Sequence, residues 1–139
     1  MSLLSFWKKY ERDTVSQRIL ERLEQTPDRL YARVHIGDAT HSISYQRLAE
    51  GAAPYAAACA QANLAPGDRV VVLKEQGPDL LYAFFGAMFA GAVPTILAPP
   101  SPRQDPAHFW RGHREVMERI RAQLLFTTPK LKKIGRAHV

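Results

Sequence analysis

His108 and His113 are the residues most easily read as a metal pair. Five residues along a helix rotate by about 140°, so the two rings diverge, and a structural or solvated role is expected for both. Arg111 and Arg114, three apart, could clamp an anion together, but Glu115 and Glu118 stand close enough that a surface charge network is the expected arrangement. Thr127-Thr128-Pro129-Lys130 follows an apolar run and ends in lysine, as a phosphate loop does, yet it has no glycine to let backbone amides approach phosphate. Cys59 and the histidines carry no local nucleophile signature, and no paired acids suggest a general acid and base. The residues themselves therefore assign no catalytic, cofactor-binding or metal-ligating position.

The elements that would position a site are easier to read. Thr14 and Gln17 have the spacing of a capping box, and Val15, Ile19 and Leu23 fall on one helical face before Thr26-Pro27 stops the run. Leu30, Ala32, Val34 and Ile36 alternate with Tyr31, Arg33 and His35, the pattern of a half-buried strand, and Gly37-Asp38 turns it into a hairpin with His41 to Ser44. Ser44 caps a helix whose stripe is Tyr45, Leu48, Ala52, Tyr55 and Cys59, with a kink or break expected near Gly51 and Pro54. The alanine-rich stretch from Ala52 to Ala62 suits close helix contact.

After the Pro66-Gly67-Asp68 turn, Val70 to Leu73 is a continuous apolar run, as expected of a strand covered on both faces. Gly77-Pro78 opens a helix from about Asp79 to Ala90 that is apolar nearly all round, with Gly91 placed to end it. Val93 to Leu97 returns as a strand, Pro99-Pro100-Ser101-Pro102 is a stiff loop, and Asp105-Pro106 starts a helix with Phe109, His113, Val116 and Ile120 inward. Gln123 to Thr127 makes a last strand. Solidly apolar strands separated by helices imply an α/β fold, a mostly parallel sheet with helices on both faces and a small N-terminal hairpin.

Composition sets bounds on partners. The 139 residues are 46% hydrophobic, enough for one compact core. The net charge of +6 is dominated by Lys130, Lys132, Lys133 and Arg136, while the other arginines are interspersed with acids, so no nucleic-acid surface is expected. A single cysteine provides no disulfide framework, the start MSLLSFWKKYERD lacks the order of a signal peptide, and Leu80 to Leu97 is interrupted by Gly86, Gly91 and Pro94. A cytoplasmic protein without a membrane span is expected.

From Ile43 onward, ISYQRLAE, LAPGDRVVVL, DLLYAFFGAMFAGAVPTILAPP and AQLLFTT, in this order and spacing, resemble the N-terminal region of the adenylate-forming (AMP-binding) superfamily. The stretch APPSPRQDPAHFW is closer in character to fatty acyl-AMP ligases than to typical acyl-CoA synthetases. The resemblance implies part of the N-terminal domain of an enzyme that joins a carboxylic acid to AMP with release of pyrophosphate and passes the acyl group to a thiol of CoA or a carrier protein. ATP and magnesium would serve that parent enzyme. The family's Ser/Thr/Gly-rich phosphate loop, nucleotide contacts and catalytic lysine would all lie beyond residue 128, so residues 1–139 alone are expected to be inactive and to hold no cofactor.

Residues 1–129 read as a truncated subdomain and 130–139 as a basic tail. Ile134 to Val139, IGRAHV, resembles a translated sequencing adapter, so the tail is expected to be non-native. A standalone, non-catalytic α/β binding module is the competing expectation.

Overall fold

The computed structural model describes residues 14–132. The leader reading of residues 1–13 and the adapter reading of Ile134 to Val139 lie outside the described residues. Nine elements run along the chain: α1 (Val15–Gln25), β1 (Leu30–Ile36), β2 (Ala39–Ser44), α2 (Tyr45–Gln61), β3 (Arg69–Leu73), α3 (Pro78–Phe89), β4 (Val93–Ile96), α4 (Pro106–Arg119) and β5 (Ala122–Thr127). β1 and β2 form an antiparallel hairpin. The other strands form a parallel sheet in the order β4-β3-β5.

The central strand organises the rest. Val70, Val71, Val72 and Leu73 are all buried, and successive side chains point to opposite faces. Val70 and Val72 meet Cys59 of α2 and Ala83 and Ala87 of α3. Val71 and Leu73 meet Phe109 and Trp110 of α4, together with Leu131. The sheet thus carries helices on both faces, as its apolar strand requires. Leu131 lies beyond the boundary drawn at residue 129, but it is part of this core.

α2 and α3 approach closely because glycine and alanine line their contact. A Cβ at Gly86 would lie 2.5 Å from Tyr55 Cβ and 2.6 Å from the Ala52 carbonyl oxygen, and one at Gly51 would fall within 2.5 Å of the Tyr82 ring. Gly91, at φ 81°, follows the end of α3 in a left-handed conformation that suits a residue without Cβ. A second core joins this helix pair to α1 and the hairpin through Ile19, Ile43, Leu48, Phe85 and Phe89.

Several expectations need correction. α2 is continuous through Pro54. Pro54 and Glu50 are both exposed, so the carbonyl deprived of its usual amide faces water. α1 buries Ser16, Ile19 and Leu20 and leaves Val15 61% exposed, which turns the inner face by about one position. Thr14 Oγ1 accepts from Gln17 N at 3.2 Å, but Gln17 Oε1 is buried without a partner among the described residues, so the reciprocal half of the capping box is not seen there.

In the hairpin, a register irregularity between Leu30 and Ala32 turns Tyr31 inward against Tyr45 and Phe85 and leaves Leu30 exposed. On α4, Val116 is exposed, while Trp110 and Met117 join Phe109 and Ile120 on the core side.

The close α2–α3 contact predicts opposite effects for two glycine substitutions, measured by urea unfolding. Gly86→Ala should destabilise the fold by about 1–3 kcal/mol through overpacking against backbone. Gly112→Ala, in α4 with nothing within 4 Å of the added carbon, should stabilise it by about 0.5–1 kcal/mol.

Candidate functional site

The carboxyl ends of a parallel sheet's strands are where ligands of open α/β folds bind, and here those ends gather a charged cluster and a cavity. Lys74 leaves β3 directly after the buried run and is itself buried. Its Nζ donates to Asp79 Oδ2 at 2.6 Å and lies 3.5 Å from the Thr127 carbonyl at the end of β5. Asp79 sits in the first turn of α3, where the helix dipole favours a carboxylate. The Tyr55 hydroxyl, from α2, donates to Asp79 Oδ1 at 2.6 Å, and Lys74 Nζ stands 5.3 Å from the Tyr55 ring centroid.

Electrostatics follow from this geometry. Burial opposes charge on Lys74, but its bond to Asp79, the nearby Tyr55 hydroxyl and the attraction of the carboxylate win, holding the ammonium above the usual lysine range. Burial also opposes charge on Asp79. Lys74 and Tyr55 outweigh it and hold the carboxyl below its ordinary value. Tyr55 is raised, first by burial and then by its bond to Asp79, and burial alone raises Cys59.

On the α4 side of the same strand ends lies a cavity of about 370 Å³, walled by Pro99, Pro100 and Pro102 after β4, by Trp110 of α4, and by Lys130 and Leu131 after β5. Glu75 and Lys130 face each other across its rim at 3.5 Å, both largely exposed. Leu131 N donates to Thr128 Oγ1 at 3.3 Å, so Thr128 caps the helical turn over 129–132. Thr127 Oγ1 and Trp110 Nε1 are buried without partners among the described residues. A larger groove, about 550 Å³ along α1 and lined by Val15, Arg18 and Tyr45, lies away from the strand ends.

The residues singled out for chemistry disperse. His108 is exposed, whereas His113 is partly buried with its ring nitrogens on two backbone carbonyls. Among the described residues no group of three His, Cys, Asp or Glu could hold a metal ion. The charge network expected of Arg111, Arg114, Glu115 and Glu118 does not form: all four are exposed, and no ion pair joins them among the described residues. Solvation competes well with such exposed pairs. Cys59 is a core thiol. Lys74, Asp79 and Tyr55 were not anticipated from sequence. The available signal was a lysine ending a solidly apolar strand with an acid five residues on, in the first turn of a helix.

No helix of the described residues is long and apolar enough to cross a membrane.

A family model described as AMP-binding enzyme matches residues 19–138. The chain is 41% identical over 63 residues to a long-chain-fatty-acid–AMP ligase of Mycolicibacterium smegmatis, covering 45% of the chain and 9% of that protein. It is 33% identical over 96 residues to the anguibactin system regulator of Vibrio anguillarum, covering 68% of the chain and 9% of the relative. The chain thus spans about a tenth of the length of these curated relatives.

Its fold matches a fatty acyl-adenylate ligase from Legionella pneumophila, solved with acyl adenylate and pyrophosphate, with a TM-score of 0.75 at 19% identity, covering 89% of this chain and 21% of that one. It also matches Klebsiella oxytoca NpsA, in complex with 3-hydroxyanthranilyl-AMSN, with a TM-score of 0.65 at 26% identity, covering 84% and 22%. The parallel sheet, its helices and the small hairpin correspond to the N-terminal domain of adenylate-forming enzymes.

The Lys74–Asp79 pair gives a two-sided test by chemical unfolding. Asp79→Ala, which strands a buried ammonium, should cost more stability than Lys74→Met, which replaces it with an apolar chain. The first should cost about 1–2 kcal/mol, since Asp79 is itself half open to solvent. The depressed Asp79 contributes stability above the unfolded carboxyl range that is lost as pH falls through its folded value. The raised Lys74 contributes stability below the unfolded lysine range that is lost as pH rises through its folded value. The pair's contribution therefore spans about pH 4 to about pH 10, and both limbs should flatten in either variant.

Proposed function

Because this chain belongs to the AMP-binding enzyme family, we propose that it forms scaffold in the N-terminal domain of an ATP-dependent acyl-activating ligase of the fatty acyl-AMP type. In the whole enzyme a substrate carboxylate oxygen bonds to the α-phosphorus of ATP, with magnesium accompanying the nucleotide, and pyrophosphate leaves. The acyl group then passes from AMP to a thiol of CoA or a carrier-protein phosphopantetheine. The observation that carries this reading is the family match, which runs across the three-stranded sheet and the helices on both its faces. The relative named as a long-chain-fatty-acid–AMP ligase supports a fatty acid as the carboxylate, and a cytoplasmic setting suits such chemistry.

The described residues take no chemical step in this scheme. They include no glycine-rich phosphate loop and no metal-holding cluster, and the charges of Lys74 and Asp79 are spent on each other. Their contribution is to fix the strand ends and the walls around them. The adapter reading is proposed for Ile134 to Val139 alone, because Leu131 is buried with Val71 and Leu73. Resequencing the source DNA across codons 128–139 tests it, with divergence from the adapter sequence as the contrary result.

Purified as 139 residues, the chain should release no pyrophosphate above background from ATP and long-chain acids, whereas a protein carrying this segment within a complete ligase should. Release by the short chain would contradict the scaffold role, and silence of the complete protein would contradict the ligase reading.

The outer strands expose Val93, Ile96 and Leu125, an arrangement that favours self-association of a partial sheet. Light scattering should show association of the chain that falls on Leu125→Lys. A self-contained module would be monomeric before and after that change.

A further inference from the structure

Both ring nitrogens of His113 face acceptors. Nδ1 is 3.1 Å from the Phe109 carbonyl oxygen, one turn back on α4, and Nε2 is 3.0 Å from the Ala98 carbonyl oxygen at the head of the proline loop. A neutral imidazole carries one N–H and one lone pair, whereas the protonated ring carries two N–H donors. Neither tautomer of the neutral ring can serve both carbonyls. In each, a lone pair points at an oxygen, and because the Phe109 carbonyl is held by the helix, relief comes from turning the ring. Turning a rigid ring displaces Nε2 from Ala98.

We propose that His113 is a proton-operated latch on the proline loop that walls the cavity at the carboxyl ends of the strands. Protonated, the ring ties α4 to Ala98 through two charge-assisted bonds and holds Pro99 to Pro102 in place. On losing a proton it gives up one bond, and the loop loosens. Histidine is the side chain whose ordinary titration falls between about pH 5 and pH 8, and that is the interval over which the latch is to be tested.

The other groups that face the ring are uncharged: Phe109, with ring centroids 3.8 Å apart, and Trp110, at 6.5 Å. The core beneath α4 is also apolar, made of Val71, Leu73 and Leu131. Of the charged neighbours, Arg111 and Arg114 on α4 and Arg103 and Asp105 on the loop are exposed. Glu75 and Lys130 pair with each other across the cavity. None of these bonds to the ring among the described residues. The latch does not depend on the ligase chemistry proposed above.

The test is nuclear magnetic resonance on the full 139-residue chain. Ring nitrogen shifts of His113 should show both nitrogens protonated at the acid end. Amide exchange at Ala98, Ser101, Arg103 and Gln104, corrected for intrinsic rates, should be about fivefold slower at pH 5.5 than at pH 8, the size expected of one net hydrogen bond. His113→Gln should remove that dependence, and His108→Gln should keep it. A ring that stays singly protonated across the interval, equal loop protection at both ends, or the same dependence in His113→Gln would overturn the latch. The first two readings need no variant, so they hold even if His113→Gln folds poorly.

Discussion

The fold depends on burying one strand on both faces at once. Val70 to Leu73 expose almost nothing to water, and each such side chain contributes roughly 1.5–3 kcal/mol when fully buried. That burial requires a helical layer on each side, and the chain supplies α2 with α3 on one and α4 on the other. The first layer works only because Gly51, Ala52 and Gly86 let two backbones come together. The hairpin and α1 then close over the remaining apolar face of the helix pair.

The same constraint explains the character of the strand ends. Lys74 follows the buried run so closely that its stem shares the burial, and its charge must be met locally. Asp79, Tyr55 and the Thr127 carbonyl meet it, joining β3, α2, α3 and β5 at one point. The cluster is a fastening between layers at the edge where ligands of this fold class bind. The cavity on the α4 side of these strand ends has walls of proline, tryptophan and leucine, which suits shape and exclusion of water better than bond-making.

How far the sequence could be read depended on whether a residue's partners were local. The apolar run of β3, the Ser44 cap and the Asp105 cap were legible because periodicity and capping are short-range properties, and both caps are present. The inner face of α1 and the setting of Tyr31 were not. They depend on how α1 meets the helix pair and on a strand irregularity, neither of which has a local signature. Of the kink or break expected near Gly51 and Pro54, the break does not occur, because Pro54 faces water and the helix runs on through it. The Lys74–Asp79–Tyr55 cluster joins residues 24 and 5 positions apart, and only the tertiary fold brings the tyrosine in. The family resemblance, by contrast, was carried by ordered blocks spread over most of the chain.

The central claim is that this segment is a working part of an acyl-adenylate-forming scaffold. The most direct measurement is pyrophosphate release by a chimera in which residues 19–128 replace the corresponding segment of a fatty acyl-AMP ligase. The account predicts a folded chimera that still forms acyl adenylate from ATP and a long-chain acid. A chimera that folds with native cooperativity but releases no pyrophosphate would contradict it.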